Sequence, residues 1–282
     1  MITLRTVADA RAAVSESRRA GASIGLVPTL GAFHEGHLSL MRCAREQCDR
    51  VVVSLFVNPA QFNEQADLDR YPRDERRDAA LAAEVGVDFL FAPPVEQIYP
   101  SGFATTVSVA RVTETLEGAQ RGRSHFDGVA TVVTKLFNIV SPDVAYFGQK
   151  DAQQVVVIRQ LVRDLDMPVR IEVCPTVRER DGLAMSSRNV RLSGTERERA
   201  TALHRALTAV KETVAAGERD AAAVKSSAMA TLTSSEVELE YFELVSAETL
   251  DPVPRIEGEV LALVAARVGA TRLIDNDLIG RP

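Results

Sequence analysis

Short β-branched runs alternate with amphipathic stretches over the first two-thirds of the chain, and that alternation leaves few architectures open. Runs at 23–27, 50–57, 87–91, 144–148 and 169–173 have the length and the Val, Ile and Phe content of buried strands. Helical patterns at 36–47, 73–85, 128–140 and 151–166 fall between them. Parallel strands need a crossover of a dozen or more residues, usually a helix that covers the sheet. The pattern therefore predicts an α/β fold, a doubly wound, Rossmann-like parallel sheet with helices on both faces. After Pro175 the texture changes to a polar loop, Ala-rich helices at 195–216 and 221–232, and strands at 237–245, 260–268 and 272–275 joined by Pro-containing turns. This predicts a smaller α+β domain, dividing the chain into 1–176 and 177–282.

Composition removes several classes of function. No apolar run approaches the roughly 20 residues that span a bilayer, and the start MITLRTVADAR lacks the apolar core of a signal peptide. A cytoplasmic protein without a membrane partner is expected. The net charge is −6, with basic and acidic residues interspersed, so no nucleic-acid partner is expected. Cys43, Cys48 and Cys174 show no C-x-x-C spacing and are expected to be packing residues. No G-x-G-x-x-G follows the first strand, which excludes a nicotinamide-dependent dehydrogenase.

Three segments carry chemistry. Pro28-Thr29-Leu30-Gly31-Ala32-Phe33-His34-Glu35-Gly36-His37-Leu38 leaves a strand and enters a helix, the position of a ligand crevice in open α/β sheets. Imidazoles three residues apart can join the unpaired amides of a helix N-terminus in holding phosphate oxygens. Gly36 clears the backbone for that approach. The same residues could be ordinary helix caps or a metal pair, although four histidines in the whole chain and no adjoining acid cluster disfavour the metal. Phe147-Gly148-Gln149-Lys150-Asp151 is a second strand end, where Lys150 offers a point charge to phosphates and Asp151 can cap the helix or touch the nucleotide or its Mg²⁺. Met185-Ser186-Ser187-Arg188-Asn189 adds two hydroxyls and a guanidinium on a loop that could close over a polyphosphate.

The ordered segments PTLGAFHEGHLSL, FVNPAQF, SHFDGVATVVTKLFNIVSPDVAYFGQKDAQQ, DGLAMSSRN and RLIDN resemble, over nearly the whole chain, the pantothenate synthetase family of pantoate–β-alanine ligases. This family is of the HxGH nucleotidyltransferase type, related to class I aminoacyl-tRNA synthetases. The resemblance implies ATP-dependent condensation of (R)-pantoate with β-alanine to pantothenate, AMP and diphosphate through pantoyl adenylate, a step of coenzyme A biosynthesis, by a homodimer that requires Mg²⁺. Matched motif by motif, it implies an ATP site of Leu30, Gly31, Ala32, Phe33, His34, Glu35, Gly36, His37, Gly148, Gln149, Lys150, Asp151, Val177, Met185, Ser186, Ser187 and Arg188. His34, His37 and Lys150 are implied to be catalytic, with His37 as proton donor. Pantoate falls on Gln61 and Gln154, and β-alanine on Gln61. Mg²⁺ is expected to be carried mainly by the ATP phosphates, with Asp151 a candidate ligand.

Neutral amides suit that task, since they bind hydroxyls and a carboxylate without adding a competing nucleophile or charge. Asn58 shares a turn with Gln61 and could assist it or merely shape the turn beside Pro59. Leu30 stands where the family commonly has methionine, a volume-conserving exchange. His125 could touch ligand or cap the next helix, and His204, inside an Ala-rich helix, is expected to be structural. Two competing readings are a transferase moving AMP or CMP onto a phosphorylated small molecule and a noncatalytic nucleotide sensor. The joint presence of both histidines, Lys150 and both glutamines weighs for the ligase. The second domain is expected to act as a lid with its hinge near 174–177.

Overall fold

Val51, Val52 and Val53 are consecutive and fully buried, so their strand is covered on both faces, as a parallel sheet flanked by helices requires. The computed structural model describes residues 1–280. The strands are β1 Ile2–Leu4, β2 Ile24–Thr29, β3 Arg50–Leu55, β4 Phe89–Phe91, β5 Val144–Gly148 and β6 Arg170–Cys174. They pair in the order β1-β4-β3-β2-β5-β6, parallel throughout. The helices of this part are α1 Val7–Arg19, α2 Glu35–Gln47, α3 Gln65–Arg70, α4 Glu75–Glu84, α5 Val95–Ile98, α6 Glu117–Arg121, α7 Arg123–Val140 and α8 Ala152–Asp164. Strand order reverses between β2 and β5, which makes the carboxyl ends of these neighbours the switch point of the sheet.

Residues 2–19 supply a sixth strand and a helix that the sequence pattern does not announce. Three residues with an exposed Ile2 are too few to show a period. In α1 only Ala10, Val14 and Ser17 are buried, a sparse apolar face. The helix expected from Gly128 begins five residues earlier, at Arg123. Gly128 lies inside α7 because a Cβ there would sit 2.3 Å from the Ala60 carbonyl oxygen, so its role is a close approach and not a helix start. Cys48 and Cys174 are buried in a cluster with Val27, Phe33, Met41 and Tyr146, and burial pushes the Cys174 thiol up, in keeping with a packing role.

Contacts divide the described residues into two units, 1–148 with 153–175, and 149–152 with 176–280. The second unit holds α9 Gly194–Ala200, α10 Ala202–Ala215 and α11 Ala221–Thr233, with β7 Glu238–Ser246, β8 Val260–Val268 and β9 Thr271–Ile279 forming an antiparallel sheet in that order. Leu203, Leu207, Val210, Val224, Phe242 and Val264 fill its core. The helix expected over 195–216 is two helices, broken at Thr201. Residues 149–152 differ from the expected division, because their partner in the second unit is a strand more than 100 residues later, described below.

Candidate functional site

The histidine segment is built by its neighbours. Gly31 (φ +91°) and Ala32 (φ +54°) turn the chain left-handed after β2, and a Cβ on Gly31 would meet Leu55 Cδ1 at 2.7 Å. That turn aims two successive amides at Asp78 of α4, whose carboxylate accepts from Ala32 N at 2.7 Å and Phe33 N at 2.8 Å. Asp78 is 1% exposed, so an internal carboxylate fills a nest of the kind that elsewhere binds anions. The amides of Ala32 and Phe33 are therefore committed to Asp78, and Phe33 is buried in the core. What remains for a ligand is the next turn.

There His34 is the N-cap of α2: its Nδ1 accepts from Gly36 N at 3.2 Å, while His37 Nδ1 accepts from His34 N at 3.3 Å. The rings lie 4.2 Å apart, tilted by 38°. An accepting Nδ1 puts the proton of a neutral imidazole on Nε2. The cap thus sets the tautomer: each ring spends Nδ1 on the backbone that opens α2, which puts the proton of its neutral form on Nε2. Glu35 is paired with Arg42, whose hydrogen bond holds the carboxyl below the usual range and offsets its charge beside the rings.

After β3, Gln61 closes a 3-10 turn, Pro59–Gln61. Asn58 is wholly buried and fully committed: Oδ1 accepts from Tyr99 Oη at 2.7 Å and Ala60 N at 3.3 Å, and Nδ2 donates to Gln61 Oε1 at 2.9 Å and Gly128 O at 3.1 Å. With Oε1 held as acceptor, Gln61 is left to present its Nε2 donors, which suit an anionic or hydroxylic ligand. Burial pushes the Tyr99 hydroxyl up to about 12 against the opposing effect of its bond to Asn58, so it stays a donor well above neutral pH. His125 Nδ1 lies 2.8 Å from the Gln61 carbonyl oxygen, which makes His125 a brace for Gln61. Of the glutamines opening α8, Gln154 is half-buried. Gln153 is buried and pins the 112–117 loop, accepting from Glu117 N at 2.9 Å and donating to Val112 O at 2.8 Å and Thr115 O at 2.9 Å.

In the second unit, the Lys150 ammonium is 3.5 Å from Asp151, with Lys150 largely covered and Asp151 half exposed. The loop holding Val177 and Met185 folds back on itself, Met185 N donating to Val177 O at 2.9 Å. Ser186 Oγ accepts from Arg188 N at 3.2 Å, shaping the Ser186-Ser187-Arg188 turn. Behind it Asn189 donates to Glu179 at 2.7 Å and to Ala184 O at 3.0 Å, and Arg197 bonds both Glu179 and Asp181. Burial works to raise Glu179, but the bonds from Arg197 and Asn189 outweigh it and hold the carboxyl below its usual range. Thr176 Oγ1 and Asn189 Oδ1 are buried without a partner among the described residues, so this loop keeps unused hydrogen-bonding capacity. His204 packs under Gly182 (φ +89°), where a Cβ would come within 2.2 Å of its ring. Burial, and then the charge of Arg178, hold the imidazole below its ordinary value, so His204 is a neutral packing residue.

Asp78, Tyr99 and Gln153 are braces that the motifs did not mark. Asp78 reads in sequence as a first-turn acid of α4, Tyr99 as an aromatic before Pro100, and Gln153 as a neighbour of Gln154. None has a local signal for its remote partner.

Comparisons with known proteins converge. A family model described as pantoate-beta-alanine ligase matches residues 2–278. The chain is 55% identical over 273 residues to the pantothenate synthetase of Cereibacter sphaeroides, covering 97% of this chain and 98% of that one. It is 50% identical over 282 residues to that of Pelotomaculum thermopropionicum, covering both in full. The crystal structure of pantothenate synthetase from Thermus thermophilus superposes with a TM-score of 0.93 at 47% identity, covering 98% of this chain and 99% of that one. Pantoate-beta-alanine ligase from Francisella tularensis, complexed with beta-gamma ATP and beta-alanine, gives a TM-score of 0.82 at 34% identity, covering 99% and 97%.

Proposed function

The chain belongs to the pantoate-beta-alanine ligase family and ligates pantoate to β-alanine with ATP as a substrate, and we propose that it does so in two steps through an enzyme-bound pantoyl adenylate. In the first step a pantoate carboxylate oxygen attacks the α-phosphorus of ATP and diphosphate leaves. In the second the β-alanine amine attacks the activated acyl carbon, releasing AMP and pantothenate.

The observation that supports this reading is the reciprocal cap of His34 and His37, which turns both Nδ1 atoms to the backbone and puts the proton of each neutral ring on Nε2 where the chain leaves β2 at the switch point. Donors set before the reaction stabilise charge developing on a leaving diphosphate without reorganising. His37 is assigned as the proton donor and His34 as its partner on the phosphates. Lys150 supplies a cation to the same charge, and Ser186, Ser187 and Arg188 supply hydroxyls and a guanidinium. Leu30, Gly31, Ala32, Phe33, Glu35 and Gly36 shape the loop, while Gly148, Gln149, Asp151, Val177 and Met185 complete the nucleotide site. Gln61 binds pantoate and β-alanine through the amide that Asn58 orients, and Gln154 binds pantoate.

Mg²⁺ is assigned to the nucleotide's phosphates, with Asp151 as the protein carboxylate beside Lys150. A half-exposed single carboxylate fits an ion that keeps its waters and is held mainly by substrate oxygens. When bound, the ion would neutralise phosphate charge. The protein is further read as a cytoplasmic homodimer of coenzyme A biosynthesis. No helix among the described residues is long and apolar enough to cross a membrane. ATP–diphosphate exchange tests the two-step reading. Pantoate alone is expected to support exchange, and exchange that needs β-alanine would contradict it.

A further inference from the structure

The RLIDN run near the C-terminus is the one motif of the resemblance to which no ligand role attaches, and the structure gives it work. The whole run, residues 272–276, lies on β9, the edge strand that pairs with β8 in the three-stranded sheet, and its last two residues make the contacts that matter. Asn276 is 2% exposed and spends its whole amide on one short segment. Nδ2 donates to Gln149 O at 2.9 Å and Lys150 O at 2.8 Å, while Oδ1 accepts from Gln149 Nε2 at 2.9 Å. Asp275, 3% exposed, holds Asn276 in turn, accepting from Asn276 N at 2.8 Å. The Arg178 guanidinium grips the same carboxylate bidentately at 2.6 and 3.0 Å and reaches the Asn276 carbonyl at 3.4 Å. A buried polar residue with every donor and acceptor used fixes a unique geometry, and what it fixes is the backbone on either side of the Lys150 peptide.

We infer that Asn276, held by Asp275 and Arg178, is a positioning residue for the ligation reaction, setting the Gln149–Lys150 backbone so that the Lys150 ammonium meets the departing diphosphate. The inference rests on the proposed role of Lys150. A flexible lysine stem gives a poorly defined charge unless its Cα is fixed, and a misplacement of about 1 Å costs on the order of 100-fold in rate. Asn276 acts through Lys150 and touches no substrate.

A double-mutant cycle with Lys150→Ala tests this, reading single-turnover formation of pantoyl adenylate. Asn276→Ala is expected to slow that step by roughly 10- to 100-fold while leaving the pantoate KM within about threefold of wild type. In the Lys150→Ala background the same change is expected to add less than about threefold, because the group it positions is gone. Asn276→Asp, which keeps the shape of the amide but loses both donors to the Gln149 and Lys150 carbonyls, is expected to slow the step as Asn276→Ala does, and it carries the cycle if Asn276→Ala does not fold. Equal losses in both backgrounds would overturn the inference and leave the role of Lys150 standing. A Lys150→Ala enzyme with the wild-type adenylation rate would overturn that role and the inference with it.

Discussion

The two segments assigned to phosphate are held in opposite ways. The histidine pair is organised mostly by itself: two rings cap their own helix within four residues, and the outside brace is Asp78, from a helix about 45 residues on. The Lys150 segment is organised from far away, by an asparagine 126 residues later on a strand of the second unit. A self-capped element carries its geometry in its own sequence. A remotely held one depends on a distant fold, so its function should be the more easily disturbed by changes that touch no substrate.

The strongest effects should come from the donors themselves. His37→Ala and Lys150→Ala are each expected to slow single-turnover adenylate formation by about 100- to 1000-fold, and rates within about threefold of wild type would break the assignment at that residue. Next come the braces. Asp78→Ala removes a buried acceptor from two amides in a left-handed turn, so a loss of about 2–4 kcal/mol in urea unfolding is expected, with a raised ATP requirement in whatever folds. An unchanged midpoint would mean that the turn holds itself.

Third, Gln61→Ala should raise the pantoate requirement far more than the ATP requirement, and Ser187→Ala the reverse. Steady-state titrations of both substrates check this, and equal shifts would contradict the division of roles. Tyr99→Phe, which frees one lone pair of Asn58, should reproduce the Gln61 pattern weakly, at about 1 kcal/mol. The smallest expected effect is on pH dependence. His204 has its folded pKa held below the unfolded value, so it contributes stability above the unfolded pKa that is lost as pH falls through the folded one. His204→Gln should flatten the decline of the urea midpoint as pH falls below the ordinary imidazole value of about 6.5. A variant with an unaltered slope would show that His204 is not the group responsible.

What could be read from sequence follows the same contrast. The parallel sheet was legible because runs such as Val51–Val53 are short, continuous and apolar while the crossover helices repeat a 3.6-residue period, and the antiparallel strands because Pro-containing turns punctuate them. β1 escaped because three residues carry no period. The break at Thr201 escaped because an Ala-rich run reads as one helix on either side of it. At the site, H-x-G-H announces a helix start with imidazoles on it, and that much is local chemistry. Asp78, Tyr99, Gln153 and Asn276 act on residues 36 to 127 positions away, and no spacing rule connects such pairs. The grouping of residues 149–152 with the second unit was hidden for the same reason.

The central claim is that the helix cap and the phosphate donors are the same two rings, with Nδ1 turned to the backbone and the proton on Nε2. Long-range ¹H–¹⁵N correlation spectra of histidine-labelled protein read this directly, at a pH where the rings are neutral and with His34→Gln and His37→Gln variants for assignment. The account predicts an unprotonated Nδ1 and a protonated Nε2 for both His34 and His37. A protonated Nδ1 on either ring would contradict it.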